Sequence, residues 1–436
     1  MAVGQAPAGS QAASRNSTRQ VVVASLIGTS IEFYDFYVYA TAAVLVFPKL
    51  FFPTGDATAA TLQSLATFAI AFVARPVGSA LFGHFGDRIG RKSTLVASLL
   101  TMGISTVLIG LLPGYAAIGV VAPLLLALCR FGQGLGLGGE WGGAALLATE
   151  NAPARKRAFF GTFPQLGAPI GFFVANGLFL LLSETMSNET FLSWGWRVPF
   201  LASAVLVIVG LWVRLSLHET PAFAKVLESG ERAKVPFLDV FRTGFKGLVL
   251  GTFTMLATYV LFYLMTVFSL SYGTAGTGLG YSRSEFLVLL LVGVVFFGLT
   301  VPVAGWLADR YGRRPTLLVI TAAIIAFGLL MGPWFGAGSP IAVLSFLVVG
   351  LGLMGLTFGP MGAVLPELFP TAVRYTGASV SYNIASLLGA SVAPYIATWL
   401  AGSYGLGWVG FYLAAVGAIT FLALLAGRET RDSELA

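Results

Sequence analysis

Five ionisable residues, Glu32, Asp35, Arg75, Arg130 and Glu140, interrupt long apolar stretches in the first half of the chain. A charge at the centre of a bilayer costs roughly 2.5–3.5 kcal/mol on insertion scales, so each marks a position where chemistry outweighs burial. Arginine stays protonated and presents a planar fork of donors that matches a carboxylate. Arg75 precedes Pro76, and a proline removes one backbone hydrogen bond and kinks its helix, which would hold the guanidinium at a cavity wall. Arg75 is therefore the first candidate for binding an anionic substrate and Arg130 the second. The alternative is that each is simply neutralised by Glu32, Asp35 or Glu140. Glu32 and Asp35 are three residues apart and share nearly one helix face, and two carboxyls crowded in a low dielectric resist ionising together. The two histidines, His84 and His218, fall in or beside loops, so a proton carried through the apolar region would ride on Asp35, Glu32 or Glu140. The second half has no charge well inside an apolar stretch. Its expected contributions are neutral: Tyr259 and Tyr263, four apart on one helix face, and Asn383, with Gln133 and Gln165 as further hydrogen-bonding candidates from the first half.

These side chains must be held by membrane helices. Of the 436 residues 57% are hydrophobic and 10% charged, with a mean hydropathy of +0.86. A bilayer span needs about 20 mostly apolar residues. Twelve such stretches occur, near 20–48, 58–83, 93–112, 117–146, 158–184, 198–216, 247–272, 285–308, 316–335, 340–364, 376–402 and 408–426. The expected fold is an all-α polytopic membrane protein of two pseudo-symmetric six-helix bundles. Residues 1–19 form a tail, 20–216 the first bundle, 217–246 a polar linker, 247–426 the second bundle and 427–436 a second tail. The 54 glycines lie mostly within apolar stretches, where small residues let backbones approach. With both termini inside, 20 of the 25 Lys and Arg fall on the cytoplasmic side, three fall outside and two lie in spans, which by the positive-inside rule predicts cytoplasmic termini. The net charge of +7 thus reads as a topology signal rather than a nucleic-acid footprint.

Three patterns occur twice in the same order, the mark of an internal duplication. Gly83-His84-Phe85-Gly86-Asp87-Arg88-Ile89-Gly90-Arg91-Lys92 is answered by Gly305-Trp306-Leu307-Ala308-Asp309-Arg310-Tyr311-Gly312-Arg313-Arg314. Glu150, Pro153 and Arg157 are answered by Glu367, Pro370 and Arg374, and Glu219-Thr220 by Glu429-Thr430. The offsets of 222, 217 and 210 residues make the two halves collinear. The twofold G-x-x-x-D-R-x-G-R-[KR] loop resembles the signature of the major facilitator superfamily. Ile31-Glu32-Phe33-Tyr34-Asp35-Phe36, Arg75-Pro76, and the run from Arg130 through Gln133 to Glu140-Trp141 resemble the metabolite:proton symporter family within it, over essentially residues 20–430. The family includes shikimate, α-ketoglutarate, citrate and proline/betaine permeases.

That resemblance implies twelve helices, a bacterial inner-membrane location and alternating access. It singles out Asp35 as the proton-coupling acid. An ionised Asp35 would pair with Arg75 in the empty site, and protonation would free the guanidinium for a substrate carboxylate. The expected function is proton-coupled symport of a small organic anion by a monomer in lipid, with a zwitterion carrier or a proton antiporter as alternatives. Gly83, Asp87, Arg88, Arg91 and Glu150, with Asp309, Arg310, Arg313 and Glu367, read as a gate, in which Arg91 would pair with Glu150 and Arg313 with Glu367 and lock the cytoplasmic side.

Enzymatic chemistry has little support. Gly134, Gly136 and Gly139 spell G-x-G-x-x-G inside an apolar helix, without the strand a dinucleotide site needs, and no G-x-x-x-x-G-K-[ST] occurs. Two loop histidines and the single Cys129 supply no metal cluster, so no metal or cofactor is expected.

Overall fold

The computed structural model describes residues 18–53, 55–89, 91–138, 141–150, 152–216, 236–370 and 373–431. Among these residues twelve principal helices follow one another: α1 Thr18–Leu45, α2 Ala57–Ile89, α3 Arg91–Leu111, α4 Val121–Leu137, α5 Arg157–Thr185, α6 Val198–Ser216, α7 Phe245–Thr274, α8 Arg283–Tyr311, α9 Arg313–Leu329, α10 Pro340–Glu367, α11 Thr376–Tyr404 and α12 Leu406–Ala426. Eight of the twelve are long and apolar enough to cross a membrane by composition, and Val96–Leu111 and Val121–Leu137 are shorter apolar helices. The remaining two are α1, whose 28 residues include Glu32 and Asp35, and α9, which opens with two arginines. The expected fourth stretch, 117–146, is broken into pieces. Gly119 at φ 60° ends a short turn of helix at Tyr115–Ile118, and α4 is followed by a separate helix, Trp141–Glu150.

Helix boundaries follow local chemistry. Ser282 and Glu285 form a reciprocal capping box at the start of α8, which satisfies two backbone donors that the first turn leaves free. The helix ends at Gly312, whose φ of 105° only glycine adopts without strain. Ser339 caps α10, with Pro340 in its first turn.

Packing repeats with a shift of six helices. In the first half α1 lies against α5 and α6, α4 against α2 and α3, and α3 against α6. In the second half α7 lies against α11 and α12, α10 against α8 and α9, and α9 against α12. The halves meet along two equivalent seams, α5 with α8 and α2 with α11. The outward surface is apolar, with Trp212, Val319 and Ile341 more than 70% exposed, as lipid-facing side chains are. Exposed aromatics mark both ends of the bundle: Trp194, Tyr404 and Trp408 at one, Trp212, Trp306 and Tyr311 at the other. That distribution matches the aromatic belts of a bilayer interface. The duplicated motifs, expected as loops, lie mostly in the ends of α2 and α8; the end that carries them is called the motif face below, and the opposite end the far face.

Glycine sets the closest crossings. A Cβ on Gly134 would lie 2.3 Å from the Ala71 carbonyl oxygen, one on Gly78 2.1 Å from that of Leu135, and one on Gly138 2.3 Å from that of Arg75. The α2–α4 contact is thus backbone on backbone, and it fixes Arg75 relative to α4. Overpacking of this kind costs about 1–3 kcal/mol or more. Gly134→Val is therefore expected to lower the thermal midpoint of the purified protein by several degrees or to abolish a monodisperse elution peak. Gly177→Ala, where no atom lies within 4 Å, should leave both unchanged. Equal midpoints for the two variants would refute the packing argument.

Candidate functional site

Between the halves, at the α2–α11 seam, a small cavity is lined by Glu32, Arg75, Leu137, Gly138, Trp141, Ser379, Tyr382 and Asn383. Its free space is about 10 Å³, at the lower limit for one water. Pro76 lies within α2, one residue after Arg75, which is 5% exposed. The guanidinium stands 5.4 Å from the Phe36 ring centre and 5.7 Å from that of Phe72. Its Nη2 is 4.0 Å from Glu32 Oε1, and its Nε has no hydrogen-bond partner. Ser379 Oγ on the opposite wall is equally without a partner. Buried donors left open cost about 1–3 kcal/mol each, and each of these two leaves a hydrogen-bonding position unfilled.

The expected Asp35–Arg75 pair is not formed. Glu32 is the acid beside Arg75, while Asp35 turns toward α6, where Ser203 donates to its Oδ1. Three helical positions put the two carboxyls on nearly one face, but neighbours from different helices draw them to different partners. Asp35 Oδ2 has no hydrogen bond, and Thr106 of α3 stands beside the carboxyl.

Arg130 forms no ion pair among the described residues. It is fully buried, with its guanidinium carbon 4.0–4.8 Å from the ring centres of Tyr39, Phe36 and Phe68. Nε donates to the Phe68 carbonyl at 3.3 Å and Nη1 to Gln133 Oε1 at 2.9 Å, and Nη2 is left over. Gln133 in turn donates to Thr106 Oγ1 at 2.8 Å. Arg130 and Gln133 therefore sit together in the first bundle, outside the cavity lining.

On the motif side the cavity is floored by Trp141 and Tyr382, stacked across the two halves at 3.9 Å and 8°. Trp141 Nε1 donates to Gln165, and Gln165 Nε2 donates to the Phe358 carbonyl of α10 at 3.1 Å. Asn383 Nδ2 reaches Ser79 Oγ of α2 at 3.2 Å, and Ser79 donates to the Gly138 carbonyl. On the far side, Tyr37 packs on Phe262 at 5.5 Å and Phe36 on Tyr263 at 6.4 Å. Tyr259 and Tyr263 do not line the cavity. Tyr259 lies behind Tyr382 at 5.3 Å, and Tyr263 belongs to the aromatic roof. Trp141, Ser379 and Tyr382 were not among the sequence candidates for substrate contact, nor Ser203 and Thr106 for proton coupling. Trp141 directly follows Glu140 in the glycine-rich run, a weak cue, whereas nothing in the sequence distinguishes Ser379 or Thr106 from other small polar residues in helices.

Both ends of the α5–α8 seam are bridged. At the motif face Asp309 of α8 accepts from the backbone N–H groups of Ala158 and Phe159 at 3.0 and 2.9 Å, in the first turn of α5, where such groups lack intrahelical partners. Arg313 holds Asp309 at 3.0 Å and grips Glu367 with two bonds of 3.1 and 3.2 Å. Glu429 accepts from the backbone of Arg313 and Arg314, and Thr430 donates to Glu367. Arg310 instead lies over the Trp306 and Tyr311 rings at 5.3 and 5.4 Å. Glu140 lies outside the described residues, as do the side chains of Asp87, Arg88, Arg91 and Glu150, and Gly83 lies within α2. At the far face Arg283 of α8 donates to Asn188 Oδ1 at 3.2 Å and covers the Phe191 ring at 3.9 Å.

Residues 20–235 match the family profile described as Sugar (and other) transporter, and residues 268–435 that described as Major Facilitator Superfamily. The chain is 68% identical over 423 residues to the inner membrane metabolite transport protein YhjE of Escherichia coli K12, covering 96% of both. It is 36% identical to the shikimate transporter of the same strain, again over 96% of both. It is 35% identical to the proline/betaine transporter of Salmonella typhimurium, over 96% of this chain and 85% of that one. The xylose transporter XylE from E. coli, in a partially occluded inward-open conformation, superposes with a TM-score of 0.75 at 17% identity, over 96% of this chain and 99% of that one, a likeness of fold. Sequence, helix pairing and the two-seam architecture agree: the chain is a membrane transport protein of the major facilitator superfamily, one of its metabolite permeases, and not an enzyme.

Proposed function

We propose that the protein moves a small organic anion together with a proton, by alternating access, across a bacterial inner membrane with both termini and the motif face in the cytoplasm. The observation that carries this reading is Arg75: a permanent cation at the cavity wall, with a free Nε and only a 4.0 Å contact to Glu32. An incoming carboxylate supplies two acceptors for that fork. Its arrival beside Glu32 brings a second negative charge, which a proton offsets. Asp35, buried and without an ion pair, is the acid proposed to take it. The cavity as it stands is too small for any metabolite, so binding requires one end of the seam to open. A single chain contains the whole route, and lipid is needed only as solvent.

A zwitterion carrier is the second reading. Glu32 and Arg75 line one cavity with the Trp141 and Tyr382 rings, and an ammonium group would suit that acid and those ring faces. Binding separates the two. Shikimate, proline and glycine betaine are to be tested as thermal-shift ligands of purified protein, since a ligand of the folded state raises its midpoint. The anion reading requires a response to shikimate or another carboxylate without a cationic group. A response confined to betaine and proline replaces it with the zwitterion reading.

Three substitutions test the assignment with whichever of these compounds is transported. Arg75→Lys keeps the charge and loses the fork, and uptake should fall at least tenfold at near-normal expression. Unchanged kinetics would remove Arg75 from the site. Asp35→Asn should still exchange substrate in counterflow yet fail to accumulate it under an inward proton gradient. Full accumulation by Asp35→Asn, with that defect found in Glu32→Gln instead, would transfer the coupling role to Glu32. Asp309→Ala removes the acceptor of two helix-terminal N–H groups, so spin labels at positions 155 and 310, in a Cys129→Ser background, should show a several-fold larger long-distance population at the motif face. An unaltered distance distribution would mean that Asp309 does not latch the halves.

A further inference from the structure

Two polar residues, Thr106 and Gln133, connect Asp35 to Arg130 through the interior of the first bundle, and none of the polar contacts along this chain touches the cavity. Arg130 Nη1 donates to Gln133 Oε1. A guanidinium only donates, so this bond fixes the amide with its NH2 group pointing the other way, and that group donates to Thr106 Oγ1 at 2.8 Å. Thr106 sends its own proton to the Met102 carbonyl at 3.0 Å and stands beside the Asp35 carboxyl. Ser203 donates to Asp35 Oδ1. Two atoms at the ends of this chain are buried and without partners: Asp35 Oδ2 and Arg130 Nη2.

We propose that Thr106 and Gln133 are positioning residues that couple the protonation of Asp35 to Arg130, a proposal that rests on Asp35 being the proton site. The Thr106 hydroxyl has one donor and two acceptor sites. Gln133 occupies one acceptor site. The other can accept from a protonated Oδ2, while the hydroxyl proton stays on the Met102 carbonyl. When Asp35 is ionised, the same hydroxyl rotates and donates to Oδ2, releasing Met102. Gln133 prevents the hydroxyl from turning away altogether, and Arg130 prevents Gln133 from flipping. Arg130 is wedged against Phe36 and Tyr39 of α1 and Phe68 of α2. A change of charge at Asp35 is thereby felt by α3, α4 and the α1–α2 contact at once. The other ionisable groups around Asp35 are accounted for. Glu32 and Arg75 face one another at the cavity, Tyr34 donates to the Pro199 carbonyl, and Tyr263 packs among Phe36, Phe68 and Phe72. The described charges of α5 and α6, Arg157, Glu184 and Arg197, lie at or beyond the ends of those helices.

The test needs no substrate. Purified full-length protein in lipid is titrated with pH while infrared difference spectra follow the C=O stretch of a protonated carboxyl group. A titrating band absent from Asp35→Asn assigns the proton to Asp35. Thr106→Val keeps the shape but removes the donor to the ionised form, so ionisation is disfavoured. The midpoint should move to higher pH by about one to two units, the range set by one charge-assisted hydrogen bond. Thr106→Ser should restore it. Gln133→Leu should shift the midpoint in the same direction, and Gln133→Leu with Thr106→Val should shift it no further than Thr106→Val alone, because residues acting in series are not additive. A band that disappears in Asp35→Asn but keeps its midpoint in Thr106→Val overturns the relay alone, as do fully additive shifts. A band that persists in Asp35→Asn overturns the assignment of Asp35 and the relay with it.

Discussion

The cost of holding charge in an apolar slab organises this molecule. At the depth of the cavity every charged group belongs to the first half, and the second half answers with Ser379, Tyr382 and Asn383. At the motif face, where the second half does carry charge, the cluster around Arg313 and Glu367 is densely hydrogen-bonded. Arg313 bonds Asp309, both oxygens of Glu367 and the Ala308 carbonyl. The central groups are held less completely, with open positions on Arg75, Ser379, Asp35 and Arg130. A fully paired network has one favoured arrangement and makes a lock. A network with unpaired atoms has partners to exchange, which is what binding and release demand.

The closures differ in kind as well as in place. The motif-face latch rests on directional hydrogen bonds to the first turn of α5, and such bonds are either made or lost. The floor and roof of the cavity are mostly aromatic contacts, Trp141 on Tyr382 below and Tyr37 on Phe262 above. Rings can part without leaving many unsatisfied polar atoms, because their attraction is largely dispersion and apolar burial. On the proposed reading, the latch therefore suits a two-state switch between the halves, and the rings suit gates that yield once the switch has moved.

Much of the fold was legible because periodic apolar length and duplicated motifs are local properties of the chain. The charges expected to matter, Arg75 and Glu32, do meet at the seam, since a buried charge is conspicuous in any apolar run. Partner choice was not legible. Glu32 and Asp35 look equivalent in the sequence, and only the approach of α2 to one and of α6 to the other distinguishes them. Arg130 looked like a second substrate ligand because sequence cannot show that three rings enclose it. Trp141 and Tyr382 are 241 positions apart, so their stacking depends on how two bundles dock. Tyr259 and Tyr263 do share a face of the regular helix Phe245–Tyr263, but four residues of α-helix rise about 6 Å, so Tyr259 meets Tyr382 of the floor while Tyr263 meets Phe36 of the roof.

The position of the cavity on one of two equivalent seams has a mechanical consequence. The α5–α8 seam carries the motif-face latch, whereas the α2–α11 seam carries the Arg75 cavity and the Asn383–Ser79 bond. In the proposed cycle, an occupant of the cavity touches both halves only when the second seam is nearly shut, so its contacts with Ser379, Tyr382 and Asn383 follow its first encounter with Arg75. A π-helical stretch, Ser386–Ala390, begins three residues after Asn383. The extra residue in that turn offsets the cavity-lining part of α11, which packs on α7, from the following part, which packs on α12. Binding energy gained late in closure favours the closed state over the open ones. A ligand that satisfied Arg75 but could not reach α11 would bind without driving the halves together. On the proposed reading, selectivity is then decided by the neutral half, and charge decides only which molecules are admitted to the comparison.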